Sequence, residues 1–129
     1  MDSRKEKKRF SVVARIKSIT HAWRGLVIFL KTTHNAWVQI FLCLLAVFLG
    51  FCFRISNIEW MLLILSFGLL LVVEALNTAM EIDIDLTSPA YHPYARDTKD
   101  VAAGAVLIMA LIVCIISLII FLPKFLALF

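Results

Sequence analysis

Charge is scarce in this sequence. Lys, Arg, Asp and Glu make up 17% of its 129 residues, against about a quarter in average globular chains, while 62% of the residues are hydrophobic. That balance excludes an ordinary water-soluble domain, and the surplus apolar surface has to face lipid. Cysteine is sparse too. Cys43, Cys52 and Cys114 all lie in apolar runs with no CxxC spacing and no neighbouring histidine, so metal or redox roles lack support and the three read as small packing residues. Internal repeats, low-complexity tracts and a second domain are missing, as is a GxxxxGK[ST] phosphate loop. No apolar stretch closely follows the basic start and no A-x-A-like site precedes a mature domain, so the first apolar span is expected to be retained.

What is present is gathered into blocks. Nine of the thirteen Lys and Arg residues lie between Arg4 and Lys31, ahead of the first apolar run. The net charge of +4 is therefore a membrane-orientation signal and not a nucleic-acid footprint. Behind a basic tail (residues 1–9), residues 10–34 have helical period without spanning character. Val12, Ile16, Ile19, Trp23, Leu26, Val27 and Leu30 share one arc, and Lys17, Arg24 and Lys31 share another with His21 beside them. This pattern predicts an amphipathic helix in the membrane interface, its cations toward anionic headgroups; a soluble amphipathic helix packed on a partner is the alternative.

Spanning helices are expected over 36–53, 59–81 and 99–122, with a hinge at Arg54-Ile55-Ser56-Asn57 and a cytoplasmic loop over 86–97. The third span opens on Ala102-Ala103-Gly104-Ala105, a small-residue run suited to close helix approach, and Pro123 and Lys124 are expected to end it. The result is an all-α integral membrane protein, one domain over 1–129. The distribution of short-loop Lys and Arg puts the amino terminus and the 85–100 segment in the cytoplasm and the Arg54 hinge and carboxyl terminus outside, with Lys124 dissenting.

The chemistry is concentrated between Glu74 and Asp100. On a helix Glu74, Asn77, Glu81 and Asp85 project to one stripe, with Asp83 turned away. Carboxylates along one face of a helix leaving lipid repel unless a cation or donor sits among them, and a divalent metal brought in with a nucleotide phosphate is the simplest compensator. A solvated helix end for Glu81, Asp83 and Asp85, with Glu74 bonded to another helix, is the plainer reading, and it is preferred for Asp83. For Glu74, preceded by a long apolar run, proton or substrate handling is preferred. Pro89 and Pro93 bracket a loop, and backbone N–H groups near Asp97-Thr98-Lys99-Asp100, assisted by Lys99, are a candidate phosphate contact. Physics alone also allows a small proton-coupled transporter with Glu74 as carrier, although a carrier needs its charge at the midplane and this acidic stripe continues out of the membrane.

Taken together, Glu74-Ala-Leu-Asn77-Thr-Ala-Met-Glu81, Asp85-Leu-Thr-Ser-Pro, Tyr91-His92-Pro and Lys99-Asp100-Val-Ala-Ala-Gly104-Ala-Val resemble the signature of the small prokaryotic diacylglycerol and undecaprenol kinases. The likeness extends to Trp23-Arg24-Gly25-Leu26 and the Asn35 region. It implies ATP-dependent phosphorylation of a lipid alcohol, a homotrimer of three-span subunits with a surface helix, and active sites shared between subunits at the cytoplasmic boundary of a bacterial membrane. It further implies Glu74 as general base, Asn77 as an orienting group, and Glu81 as ligand of the Mg²⁺ that bridges ATP. Tyr91, His92, Lys99 and Asp100 are implied as nucleotide contacts, with Arg15 and His21 on the surface helix as further candidates. Where this chain has Thr33 the family usually has a glutamate that serves as second metal ligand. Thr33 offers only a neutral hydroxyl, which opens the alternative of a catalytically reduced, lipid-binding family member. The Ser88-Pro89 and His92-Pro93 pattern resembles the undecaprenol-type members more than the proteobacterial diacylglycerol type.

Overall fold

A computed structural model describes residues 9–129 and contains four helices: α1 Val12–Thr32, α2 His34–Cys52, α3 Asn57–Thr87 and α4 Pro93–Leu126. The basic tail lies almost wholly outside the described residues. Helices α2, α3 and α4 are each long and apolar enough to cross a membrane. At 1.5 Å per residue the 31 residues of α3 and the 34 of α4 run to about 46 and 51 Å, well past a hydrocarbon layer of about 30 Å. The surplus falls where α3 leaves the bundle and α4 enters it, so a polar helical hairpin stands off one membrane face.

Local chemistry explains the boundaries, several of which depart from the sequence-based spans. Ser11 caps α1, its hydroxyl accepting from the Ala14 N–H at 3.3 Å, so the surface helix starts at Val12 instead of residue 10. Thr33 is extended (φ −111°, ψ 99°) and serves both as C-cap of α1 and N-cap of α2, which moves the start of the first span from 36 to His34. Trp37 Nε1 donates to the Leu30 carbonyl at 2.7 Å and ties the two helices at this corner. A capping box at Ser56 and Glu59 starts α3. Nothing interrupts α3 until Pro89, which disfavours helical geometry at Ser88; the helix thus runs to Thr87, beyond the expected 81.

The expected 86–97 loop contracts to five residues, Ser88–His92. Pro93 occupies the first turn of α4, where its missing N–H costs nothing, and His92 caps it, Nδ1 accepting from the Tyr94 N–H at 3.2 Å. Pro123 does not end α4. It sits inside the last turn, where it lacks the N–H that would bond the Ile119 carbonyl and its ring crowds that carbonyl, and the helix nevertheless continues to Leu126.

The core lies between α2, α3 and α4 and contains Ala46, Ile55, Leu63, Phe67, Leu70, Val113 and Ile120. Gly50 on α2 is required by a close approach: an added Cβ would come within 2.6 Å of the Trp60 ring. The small run around Gly104 makes no comparable approach, and a Cβ there would meet open space. Most large apolar side chains on the three spans are exposed on the single chain, as lipid-facing helices require. Of the cysteines only Cys43 packs against the core; Cys52 and Cys114 are exposed. Helix α1 buries one residue, Phe29, near its carboxyl end, and leaves Val12, Ile16, Ile19, Trp23 and Leu26 exposed.

Candidate active site

The buried stripe of α3 changes character along its length. Leu63, Phe67 and Leu70 are core residues, and one or two turns later the same stripe presents Glu74, Asn77 and Thr78, all buried. Glu74 is 2% exposed. The spacing that packs apolar residues in the bundle carries polar ones to the bundle's end, where α2 begins and its cover stops. The predicted stripe is therefore divided: Glu74 and Asn77 are buried, whereas Glu81 and Asp85, beyond α2, are exposed, as is Asp83.

A cleft of about 310 Å³ opens there, lined by Thr33, Glu74, Asn77, Thr78, Glu81 and Asp85 together with the first residues of α2. Glu74 Oε2 accepts from Gln39 Nε2 at 2.6 Å. Asn77 Nδ2 donates to Glu81 Oε1 at 3.2 Å. The Thr78 hydroxyl lies 3.1 Å from the Glu74 carbonyl oxygen and 2.7 Å from the Thr33 hydroxyl. Since a hydroxyl has one proton and Thr78 gives its own to the Glu74 carbonyl, Thr33 is the donor to Thr78. The corner between α1 and α2 is in this way hydrogen-bonded to the backbone of the buried carboxylate. Gln39 Oε1 and Asn77 Oδ1 are buried acceptors with no partner among the described residues.

The remaining candidates fall in two other places. Tyr91, His92, Lys99 and Asp100 line a second cleft of about 230 Å³ between the α3–α4 turn and the start of α4, and Asp85 borders both clefts. Lys99 Nζ pairs with Asp85 across the hairpin, and Arg96 pairs with Asp100 one turn on at 3.8 Å. Because α4 begins at Pro93, residues 97–100 lie inside the helix with their N–H groups committed to it. The phosphate contact expected from the backbone there is withdrawn; Lys99 can act only through its side chain. Arg15 and His21 reach neither cleft. They lie about 27 and 18 Å along α1 from Thr33, and Arg15 stacks over the Phe10 ring at 5.5 Å.

Two site residues escaped the sequence reading, Gln39 and Thr78. Gln39 carried a usable signal, being the one amide and the one strongly polar side chain between Ala36 and Phe53. Thr78 carried none, since a threonine beside Asn77 has no distinguishing pattern.

The helix order, the buried carboxylate and the paired clefts meet an independent finding. The family model for prokaryotic diacylglycerol kinase matches residues 20–121. The chain belongs to that family. Undecaprenol kinase from Bacillus subtilis is 42% identical over 123 residues, covering 95% of this chain and 96% of the relative. Diacylglycerol kinase from Escherichia coli is 33% identical over 109 residues, covering 79% and 83%. Diacylglycerol kinase from Synechocystis is 33% identical over 112 residues, with 86% of this chain matching 64% of a longer relative. This protein is a lipid kinase of a bacterial membrane, crossing it several times, and kinase chemistry implies ATP as phosphoryl donor. The proton-carrier reading finds no support beside that membership.

Proposed function

We propose that this protein phosphorylates a long-chain lipid alcohol at the cytoplasmic membrane face, with undecaprenol the first candidate and diacylglycerol the second. The undecaprenol preference is supported by the match to the Bacillus subtilis relative along nearly the whole of both chains. The reading is carried by one observation: Glu74 is buried where the apolar core stripe meets the polar cleft. A lipid hydroxyl approaching from the membrane and a nucleotide approaching from water can both reach that level.

In the proposed reaction the alcohol oxygen bonds to the γ-phosphorus of ATP, the bond from that phosphorus to the β,γ-bridging oxygen breaks, and ADP leaves. The alcohol proton passes to the Glu74 carboxylate and later to water. Asn77 holds Glu81 in place through its amide. Lys99, Tyr91, His92 and Asp100 border the second cleft and contact the nucleotide, with Lys99 offering its ammonium to phosphate.

The donor set fits Mg²⁺. Glu81 and the partnerless Asn77 Oδ1 are hard oxygen donors at the cleft, and this ion is usually held by one or two carboxylates with substrate phosphates and water completing its shell. Among the described residues no three His, Cys, Asp or Glu side chains converge, so Glu81 is the main protein ligand and Thr33 contributes a neutral hydroxyl. Once bound, the ion neutralises charge on the phosphoryl group in flight. A homotrimer supplies what one chain leaves open: the surface helix of a neighbour brings Arg15 and His21 to the cleft, and neighbours cover apolar faces of α3 and α4. The amino terminus is cytoplasmic, as the basic cluster before α1 favours.

The test is phosphotransfer from labelled ATP to undecaprenol, diacylglycerol and ceramide in mixed micelles, with Glu74→Gln alongside. Wild type should label undecaprenol fastest. Glu74→Gln should lose about 10²-fold or more in kcat, the cost of a missing general base, while still binding ATP. Turnover above a tenth of wild type would remove Glu74 from that role, and binding without turnover by wild type would identify the reduced, lipid-binding member.

A further inference from the structure

Gln39 is the only side chain among the described residues that hydrogen-bonds the Glu74 carboxylate. The polar neighbours on α3 are committed elsewhere: Thr78 bonds the Glu74 backbone carbonyl, and Asn77 bonds Glu81. One carboxylate oxygen is therefore held by an N–H from α2, while Glu74 itself borders the cleft. The other end of the same amide, Gln39 Oε1, is buried with no partner among the described residues. Gln39 also borders a groove lined mainly by Leu42, Leu45, Leu49, Phe67 and Leu70, in which Cys114 and Ser117 are the side chains with a proton to give; neither bonds that oxygen among the described residues. An orphaned acceptor next to a residue that gains a proton calls for explanation, because buried polar groups are rarely left unpaired.

We propose that Gln39 is a positioning residue for proton transfer, serving both protonation states of Glu74. With the carboxylate ionised, Nε2–H donates to it and leaves the second oxygen free for the lipid hydroxyl. Once Glu74 has taken that proton it is a carboxylic acid with an O–H to donate. Rotation of the Glu74 carboxyl group brings that O–H round to Gln39, a half-turn of the Gln39 amide about its terminal bond presents Oε1 in place of Nε2, and the acceptor that was orphaned receives the O–H. Loss of the proton to water reverses the turn, so a single proton enters and leaves in each cycle. A side chain with a donor alone would favour the ionised state, and one with an acceptor alone the protonated state; an amide can pair with each. This assignment rests on the reading of Glu74 as the base.

The experiment compares full-length Gln39→Met, Gln39→His and Glu74→Gln with wild type in micelles. Methionine has similar length and neither function, whereas imidazole restores an N–H donor and a lone-pair acceptor. We expect kcat of Gln39→Met to fall about tenfold or more, the scale of a misplaced catalytic group, with the ATP KM within about twofold of wild type. Gln39→His should recover most of that loss. If Gln39→Met does not fold, Gln39→Asn replaces it: the same amide one carbon short should show the same kcat loss, and wild-type kcat there would overturn the proposal. A simple tether between α2 and α3 would lower the melting temperature of both variants and leave kcat per folded enzyme unchanged, which overturns the proposal. Equal kcat losses in Gln39→Met and Gln39→His would also overturn it. An active Glu74→Gln would sink the general-base reading itself; an inactive Glu74→Gln beside a fully active Gln39→Met would sink only the role of Gln39.

Discussion

The α3–α4 hairpin carries a lysine–carboxylate pair at each end, Lys99 with Asp85 at the cleft and Lys124 with Glu59 at the far end. The pairs lie about 39 Å apart along α3, so they bracket a hydrocarbon layer of about 30 Å. At the far end the polar groups are committed to the fold. Glu59 completes the capping box with Ser56 and accepts from Lys124 at 2.6 Å, and Lys124 also donates to the Ile120 carbonyl. Trp60 packs directly on Gly50. At the cleft end two amide oxygens are buried without partners among the described residues, the Asp85 side chain is 67% exposed, and two cavities meet at it. Similar pairs across the same two helices thus have different surroundings. A group already satisfied by the fold stabilises it, whereas a group left unsatisfied or exposed is available to a ligand.

Breaking each pair in turn tests that contrast. Lys99→Ala should raise the ATP KM about tenfold, the scale of one charge-assisted contact to phosphate, while the melting temperature barely moves because the pair is largely exposed. Lys124→Met should do the reverse, lowering the melting temperature with kcat and the ATP KM unchanged. ATP titrations and thermal melts of both variants settle the matter, and matching profiles for the two would abolish the distinction between a binding end and a structural end.

A smaller effect is expected at Thr33, the departure from the family pattern. Its hydroxyl donates to Thr78, so the side chain now fastens the α1–α2 corner to α3. Thr33→Glu forfeits that bond and adds a carboxylate near Glu74 and Glu81. In chelator the variant should melt below wild type. At low Mg²⁺ with ATP present it should turn over several-fold faster than wild type, because coordination then offsets the added charge. Turnover below wild type at every Mg²⁺ concentration would mean that the site has been rebuilt around the hydroxyl.

How much of this was legible in the sequence depends on the range of the interaction involved. The all-α membrane architecture followed from apolar runs whose length the bilayer sets. The Ser56–Glu59 box and the stop before Pro89 are local signals as well, but the expected span of 59–81 used neither. Pro123 was misread because proline penalises a helix without forbidding it: α4 carries Pro123 inside its last turn and continues to Leu126. The Glu74–Asn77–Glu81–Asp85 stripe follows from helical period, but its division into buried and exposed halves depends on where α2 stops covering α3. The Gln39–Glu74 bond was invisible for the same reason. It joins residues 35 apart in the chain, and the register between two helices is set by packing, such as Trp60 against Gly50, which no single-helix periodicity reports. Arg15 and His21 entered through resemblance, and one chain alone leaves them far from either cleft.

The smallest expected effect lies at the structural end, in the turn between α2 and α3. Phe53 ends α2, Arg54 follows with φ 49°, the Ile55 N–H bonds the Gly50 carbonyl at 3.1 Å, and the Arg54 N–H bonds the Phe51 carbonyl at 3.3 Å. This is a Schellman ending with arginine at the left-handed position where glycine is usual, and Ile55 is buried against the helix it closes. The left-handed conformation costs an L-residue about 1–2 kcal/mol, and glycine avoids that cost but loses about 0.5–1 kcal/mol of extra chain entropy on folding. Arg54→Gly should therefore stabilise the protein by about 0.5 kcal/mol, since the exposed arginine makes no hydrogen bond or ion pair through its side chain among the described residues. Activity should be untouched, as this turn lies across the membrane from both clefts. Reversible denaturation in mixed micelles would register the gain. A loss of stability instead would show that the Arg54 side chain contributes more at this membrane face than its backbone strain costs, making the far end less completely structural than its hydrogen bonds suggest.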